Sequence, residues 1–113
     1  MTKVCVAGAT GWTGEPLARA LRSYSTLQLH SAVARSAAGR DLGDVLDGTH
    51  WGVPVFGRVA DALDGVDVLI DYTSHETIKA HTLLAISRGV HVVVGSSGMT
   101  GSDFEEEIGR AHV

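Results

Sequence analysis

Three glycines spaced three residues apart, Gly8, Gly11 and Gly14, follow directly on the apolar residues 4–7. One glycine lets the chain turn sharply out of a strand, a second lets backbone amides approach a pyrophosphate, and a third lets a helix pack closely on the strand. The helix N-terminus adds unpaired N–H groups and partial positive charge. The spacing is G-x-x-G-x-x-G rather than G-x-G-x-x-G. We interpret it as a dinucleotide-binding turn, against the alternative of an ordinary tight strand-to-helix turn.

The end of the second predicted strand indicates which dinucleotide is bound. Domains that bind NAD usually place an acidic residue about 20 residues beyond the glycines, where it holds the ribose hydroxyls. This chain has Ala34 and Arg35 there. Arginine makes bidentate contacts with phosphate, so Arg35, alone or with Ser36 or Arg40, favours NADP over NAD. The alternative is that Arg35 is a solvated loop arginine.

Two further strand ends are rich in hydroxyl groups and glycine. Residues 71–74 read Asp-Tyr-Thr-Ser, and residues 95–98 read Gly-Ser-Ser-Gly. Ligands of open parallel sheets bind beyond the carboxyl ends of the strands, so we expect both segments to flank the nicotinamide ring. In the alternative interpretation Ser74 only caps a helix, and Asp71 only orients its own loop.

Alternating strands and helices must position these residues. Strands are predicted over residues 4–7, 27–34, 53–56, 66–71 and 90–94. Helices are predicted over residues 12–23, 42–46, 59–63 and 76–88, and a capping box formed by Ser102 and Glu105 opens one more. The helix at 76–88 is expected to present one face made of Ala80, Leu83, Leu84 and Ser87. Pro54 argues against a central position for the third strand, and residues 36–52 are predicted to be a loop beside the ligand.

This alternation predicts an α/β fold with right-handed crossovers. The fold class is a truncated parallel sheet of Rossmann type with helices on both faces. We assign residues 1–107 to one dinucleotide-binding domain that is incomplete at its C-terminus.

The composition argues against several other classes of protein. The chain has 113 residues and a formal net charge of −4, which gives no electrostatic basis for binding nucleic acid or an anionic membrane. No apolar run approaches the ~20 residues of a membrane span. A single cysteine, Cys5, suits a reducing compartment and inert packing, and the six histidines show no metal-ligand spacing. We expect a cytoplasmic domain with no metal site and no catalytic residue of its own.

Residues 6–14, 67–73 and 89–99 together resemble one enzyme family, 4-hydroxy-tetrahydrodipicolinate reductase (dihydrodipicolinate reductase) of lysine and diaminopimelate biosynthesis. That family shows a glycine-rich turn, an Asp-Phe-Thr strand end and a Gly-Thr-Thr-Gly turn in the same order and at similar spacing. The likeness covers residues 3 to about 107 and only the cofactor-binding half of such an enzyme.

By position, the resemblance implies roles for ten residues in binding NADP or NAD. The pyrophosphate would contact Gly8, Gly11, Trp12, Thr13 and Gly14; the adenosine ribose or its phosphate would contact Arg35; and the nicotinamide would lie near Tyr72, Thr73, Gly95 and Ser97, the last also touching substrate. The sequence departs from the family pattern in three places. Trp12-Thr13 replace a frequent Arg-Met, which weakens a charged pyrophosphate contact; Ala34 replaces a frequent acid, which favours NADP; and Ser96-Ser97 replace two threonines.

The reaction that the resemblance implies is hydride transfer to a cyclic unsaturated dicarboxylate by a homo-oligomeric enzyme. The family's substrate domain carries a His-His-x-x-x-Lys site for the carboxylates, and this sequence lacks it. We therefore expect the chain alone to bind cofactor weakly and not to turn over substrate. Two alternatives stay open. One is the start of an N-acetylglutamyl-phosphate or aspartate-semialdehyde dehydrogenase, which shares Gly-Ala-Thr-Gly-x-x-Gly, and the other is a non-enzymatic NADP-sensing module.

Residues 108–113, Ile-Gly-Arg-Ala-His-Val, depart from the helix that Ser102 opens. Gly109 is unfavourable inside a helix, and the six residues match one translated frame of a common sequencing adapter. We expect residues 108–113 to be a non-native tail, with a genuine frayed end as the alternative. The nucleotides that follow the Glu107 codon distinguish the two.

Overall fold

The structure is a computed structural model that describes residues 1–11, 14–73 and 75–94. In this part of the chain, five strands form one parallel sheet in the order β3-β2-β1-β4-β5. The strands are β1 (Thr2–Ala7), β2 (Leu27–Val33), β3 (Val55–Phe56), β4 (Val68–Asp71) and β5 (His91–Val94). The helices are α1 (Gly14–Leu21), α2 (Leu42–Leu46), α3 (Val59–Ala62) and α4 (His75–Ser87), with a 3₁₀ turn at Arg35–Ala37. The predicted parallel α/β fold of Rossmann type is confirmed.

The order of the strands places a crevice between β1 and β4. The chain runs outward from β1 through β2 to β3 and then returns to place β4 on the other side of β1. Ala7 of β1 pairs with Asp71 of β4, and Asp71 pairs with Val94 of β5. Three strands therefore end level with one another at the edge where open parallel sheets bind their ligands.

Both faces of the sheet are covered, because alternate residues of β1 face opposite sides. Val4 and Val6 belong to one buried cluster, in which Leu17 and Leu21 of α1 and Leu42 of α2 also lie. Cys5 and Ala7 belong to the other, together with Val59 and Ala62 of α3 and Ala85 of α4. Helices on both faces were predicted, and the two clusters confirm it. This packing fixes the positions of the strand ends.

The predicted face of α4 is mostly turned away from the sheet. Ala85 is fully buried, whereas Leu83 and Ile86 are 61% and 63% exposed. Ala80, Leu83 and Ser87 share one side of the helix, as predicted, but that side is exposed. Apolar residues occur on more than one side of this helix, so spacing alone does not select the packed side. Gly89, at φ +73°, follows the helix as predicted.

The segment 36–52 is an ordered excursion at the β3 edge of the sheet. It contains α2 at the predicted residues, and β3 lies at the edge of the described sheet, as Pro54 predicted. The Asp41 carboxylate accepts hydrogen bonds from the backbone N–H groups of Trp51 (2.8 Å), Val53 (2.7 Å) and Asp44 (3.2 Å). This side chain and backbone hydrogen bonds such as that from Leu42 N to Val53 O (2.8 Å) together hold the segment in place.

Candidate functional site

A cleft of about 700 Å³ opens at the carboxyl ends of β1, β2, β3 and β4. It brings together Gly8, Gly11, Arg35 and Thr73 of the predicted site residues. The rest of its described lining consists of Thr10, Val33, Ala34, Gly57, Arg58, Val59, Ala60, Thr77, Ala80, His81 and Leu84. No described residue from 36–52 lines it, but a Cβ atom on the lining residue Gly57 would lie 3.4 Å from the Cβ atom of Ala38. The expectation that this segment lies beside the ligand stays a prediction.

The glycine turn packs too closely to accept side chains. Gly8 has φ +81°, and a Cβ atom there would lie 3.3 Å from the Cβ atom of Tyr72. A Cβ atom on Gly14 would overlap the carbonyl oxygen of Gly8, so Gly14 allows α1 to begin directly against the turn. The N–H groups of Gly8 and Gly11 donate within the protein, to Val33 O (2.9 Å) and Gly8 O (3.0 Å). Gly8 and Gly11 therefore offer the cleft bare backbone rather than unpaired N–H groups.

The β2 end presents Arg35 to the cleft. Ala34 is 8% exposed, and its N–H donates to Phe56 O (3.0 Å), which fixes the start of the 3₁₀ turn. The described lining of the cleft contains two arginines and one histidine but no carboxylate. The two arginines lie at the ends of β2 and β3, so this end of the cleft carries positive charge without a described carboxylate. Ser36 and Arg40 do not line it.

The β4 end is organised by a buried carboxylate. Asp71 has no exposed surface, and its Oδ1 atom accepts hydrogen bonds from the N–H (2.8 Å) and the hydroxyl of Thr73. Its Oδ2 atom lies 2.8 Å from Nδ1 of His81, and Thr77 donates to the Thr73 hydroxyl oxygen (2.8 Å). Asp71 orients its own loop, as one of the sequence interpretations had it. The network holds the side chains of Thr73, Thr77 and His81 along one wall of the cleft.

Tyr72 is separated from the cleft that Thr73 lines. It packs against the buried cluster on the α1 side of the sheet, and its N–H donates to Ala7 O (3.1 Å). Burial raises the pKa of the Tyr72 hydroxyl. Successive residues of an extended chain point to opposite sides, which explains why only one of the two faces the cleft.

Four of the predicted site residues, Trp12, Thr13, Gly95 and Ser97, lie outside the described residues, as does the capping box of Ser102 and Glu105. Their roles stay predictions. Val94, which precedes Gly95, is paired with Asp71. The described end of β5 is therefore level with the cleft.

Sequence reasoning missed the β3 end and the α4 wall. Gly57, Arg58 and Ala60 line the cleft because β3, although only two residues long, ends level with β2. Thr77 and His81 stand four and eight residues after Thr73, which is the spacing of one helical face. That spacing predicts Thr77 and His81 as cleft residues once the first residue of α4 is known.

Two other groups of reactive side chains lie away from the cleft. Ligand atoms of Asp41, Asp44 and His50 lie within 4.8 Å of one another, but the carboxylate oxygens of Asp41 already accept three backbone hydrogen bonds. Cys5 is fully buried, and burial raises the pKa of its thiol to about 12. The expectation that Cys5 is buried is confirmed. Among the described residues, no helix is long and apolar enough to span a membrane.

Comparison with known proteins assigns the chain to a family. A family model described as dihydrodipicolinate reductase, N-terminus, matches residues 2–110. The chain belongs to this family. Of the curated members, the 4-hydroxy-tetrahydrodipicolinate reductase of Anaeromyxobacter dehalogenans (strain 2CP-C) is 42% identical over 103 residues, covering 88% of this chain and 38% of the relative. The chain thus spans less than half the length of this reductase.

Solved structures show the same fold. A dipicolinate-bound dihydrodipicolinate reductase from Paenisporosarcina sp. TG-14 matches with a TM-score of 0.67 and 23% identity, over 94% of this chain and 41% of that one. An aspartate semialdehyde dehydrogenase with NADP from Candida albicans matches with a TM-score of 0.68 and 18% identity, over 86% and 30%. The fold is therefore shared with that dehydrogenase class, whereas the family match favours the reductase over the dehydrogenase alternative.

Proposed function

We propose that this chain is the NAD(P)H-binding domain of a dihydrodipicolinate reductase, which transfers hydride to 4-hydroxy-tetrahydrodipicolinate in lysine and diaminopimelate biosynthesis. One observation carries the proposal. Gly8 at the end of β1, Arg35 at the end of β2 and Thr73 at the end of β4 line a single cleft in a chain that belongs to this family. A nicotinamide dinucleotide supplies the hydride when it is bound, and this domain holds and orients it.

The glycine turn is proposed to receive the pyrophosphate. At Gly8 and Gly14 the space of a Cβ atom is taken by Tyr72 and by the Gly8 carbonyl, which keeps the turn tight, and Gly8 leaves bare backbone at the cleft for close approach of a diphosphate. Gly11 lies between them and lines the cleft. Trp12 and Thr13 complete this part of the proposed site, at the helix N-terminus where an anion is stabilised.

The β2 end is proposed to receive the adenosine ribose and to prefer NADP over NAD. In sheets of this topology the ribose next to the adenine lies at the end of β2. An acid there would bind the two hydroxyls of NAD, but the described lining has none, and Arg35 is exposed at this point. A guanidinium beside a 2′-phosphate makes charge-assisted hydrogen bonds.

The β4 and β5 ends are proposed to lie beside the nicotinamide. Thr73 has its hydroxyl fixed by Asp71 and Thr77, so it presents a rigid polar edge rather than a rotating one. Gly95 and Ser97 are proposed for this side on the family resemblance alone, whereas the predicted contact of the Tyr72 side chain with the nicotinamide is not retained, because that side chain packs on the α1 side of the sheet. Substrate binding and the proton that completes the reduction are properties proposed for the whole protein, and no described residue is assigned a catalytic role.

Fluorescence titration of the chain with NADPH and NADH tests the proposal. We expect saturable binding of both, with NADPH the tighter. Replacing Arg35 by glutamine should weaken NADPH about tenfold or more, because a charge-assisted contact is lost, and should leave NADH within about twofold. Arg40→Gln removes the same charge outside the cleft and serves as the control. Failure of the chain to bind either nucleotide would contradict the proposal, whereas equal affinities would contradict only the preference for NADP.

A further inference from the structure

A second arginine stands in register with Arg35 on the neighbouring strand. Val33 of β2 pairs with Phe56 of β3, and Arg35 and Arg58 are each the second residue beyond that pair. The hydrogen bond from Ala34 N to Phe56 O (3.0 Å) continues the pairing past the end of β2. The two arginines therefore follow the ends of adjacent strands, which lie about 4.8 Å apart where they pair. Both line the cleft.

In the part of the chain that the structure describes, the guanidinium groups of these two residues are unpaired. Neither has a hydrogen bond or an ion pair with any other described residue. Three other arginines of the chain have structural partners: Arg19 pairs with Glu15, Arg22 lies over the ring of Trp51, and Arg88 donates to Ala60 O. Two unpaired cations on a wall without a described carboxylate repel each other and attract an anion.

The fold does not depend on the Arg58 side chain. Arg58 precedes α3 in an extended conformation (φ −139°, ψ 143°), and its side chain makes no capping hydrogen bond. Its backbone carbonyl accepts from Asp61 N (3.2 Å), a contact that any residue at this position keeps. Arg58 differs in this respect from Arg88, which follows α4 and whose guanidinium donates a hydrogen bond to Ala60 O in α3.

We infer that Arg58 and Arg35 together form a two-arginine clamp for the 2′-phosphate of NADP, so that Arg58 is a second residue that determines cofactor specificity. This inference rests on the proposed function and extends it from one arginine to two. A phosphate monoester carries close to two negative charges and three acceptor oxygens, which match two guanidinium forks better than one. The 2′-hydroxyl of NAD is uncharged, so Arg58 contributes to binding NADP and little to binding NAD.

A different role for Arg58, stacking on the adenine ring, makes an opposite prediction. Arginine planes stack on aromatic faces, and NADP and NAD carry the same adenine. Loss of a stacking contact would therefore weaken both nucleotides by the same factor. A clamp acts only on nucleotides that carry the 2′-phosphate, whereas stacking acts on nucleotides with and without it. The ratio of the affinity with the 2′-phosphate to the affinity without it therefore distinguishes the two roles.

Isothermal titration of the 113-residue chain with adenosine 2′,5′-bisphosphate and with 5′-AMP tests the clamp, because these probes differ only in the 2′-phosphate. Arg58→Gln should weaken the bisphosphate about tenfold or more and change 5′-AMP less than about twofold. Arg58→Lys should recover part of the loss, because lysine restores the charge without the fork. Arg40→Gln, with the same change in net charge outside the cleft, should leave both probes unchanged, and thermal unfolding of each variant checks that it folds.

Two results would overturn the clamp while leaving the proposed function in place. One is an equal loss of affinity for both probes in Arg58→Gln, which is the stacking result. The other is no loss for either probe, which leaves Arg58 a solvated arginine. A wild-type chain that binds neither these probes nor NADPH would instead contradict the proposed function, and the clamp with it.

Discussion

The side chains of Asp71 and His81 join the end of β4 to α4, with 2.8 Å between Oδ2 and Nδ1. Asp71 is fully buried, whereas the His81 side chain is 21% exposed and lines the cleft. The other carboxylate oxygen of Asp71 holds Thr73. A buried acceptor thus fixes two cleft residues that come from different elements, which gives the wall a single geometry before any ligand binds.

Asp71→Asn should destabilise the protein by about 1–3 kcal/mol, because the new amide cannot accept hydrogen bonds at both ends of the network. Urea unfolding measures the loss. Asp67→Asn is the matched control at the opposite end of the β4 segment, where a half-buried carboxylate accepts from Lys3 N (2.8 Å). An asparagine oxygen can keep that bond, so we expect a smaller effect. Equal losses in the two variants would contradict the central role of Asp71.

Gly14→Ala should lower both stability and nucleotide affinity. The added Cβ atom meets the carbonyl of Gly8, a backbone atom, so the turn or α1 must shift. Overpacking of this kind costs about 1–3 kcal/mol, although alanine is the better helix former by about 1 kcal/mol. Gly39→Ala is the control. Gly39 has φ +86°, a Cβ atom there would meet no described atom within 4 Å, and the residue does not line the cleft.

The two glycine variants differ in what they do to binding. Gly39→Ala should cost about 1–2 kcal/mol through backbone conformation alone and should leave the NADPH affinity unchanged. Gly14→Ala should lower the affinity for NADPH about tenfold or more, because a shift of the turn moves the Gly8 backbone away from the proposed pyrophosphate position. Unaltered NADPH affinity in Gly14→Ala would argue against the proposed role of the turn.

Cys5 should be unreactive in the folded protein. Its pKa of about 12 leaves only about one thiol in 10,000 ionised near pH 8. Because the folded pKa lies above the unfolded value of about 8.5, this group's contribution to stability is present below that value and is lost as the pH rises towards 12. Labelling with a chromogenic disulfide should be slow in buffer and fast in guanidinium chloride. Rapid labelling of the native chain would contradict the buried position of Cys5.

Asp41 should make stability depend on pH in the acid range. Burial acts to raise the pKa of its carboxyl, but the N–H groups of Trp51, Val53 and Asp44 outweigh it and hold the pKa below its usual value. A depressed folded pKa stabilises the protein above the unfolded value of about 3.9, and the stability is lost as the pH falls through the folded pKa. The difference in unfolding free energy between wild type and Asp41→Asn should therefore shrink on acidification.

Asp44→Asn is the control for this pH dependence, because the exposed Asp44 contributes its backbone N–H to the loop. We expect a small and nearly constant effect from that variant. A difference between wild type and Asp41→Asn that stays constant from neutral pH down to about pH 2 would show that the Asp41 carboxylate does not hold the excursion.

The sequence predicts the parts of the site that follow from local chemistry. Gly8 and Gly14 are predictable because a sharp turn and a close helix leave no room for Cβ, and Arg35 because it occupies a position where an acid is usual. Arg58 and His81 are not predictable in this way. Arg58 depends on the register of β3 against β2, and His81 on where α4 begins, and both are set by tertiary packing. The position of Tyr72 was predictable, because successive residues of an extended segment point to opposite sides and Tyr72 and Thr73 therefore cannot both face the cleft.

The most direct measurement is an amide chemical-shift map of the chain during titration with NADPH. We expect the perturbed amides to cluster at the strand ends, at residues 8–11, 34–35, 57–60 and 72–73, since these segments surround one cleft. The opposite end of the sheet, around Thr2, Thr26 and Asp67, should stay unperturbed. Shifts confined to that opposite end, or no shifts at saturating NADPH, would contradict the claim that these strand ends share one dinucleotide.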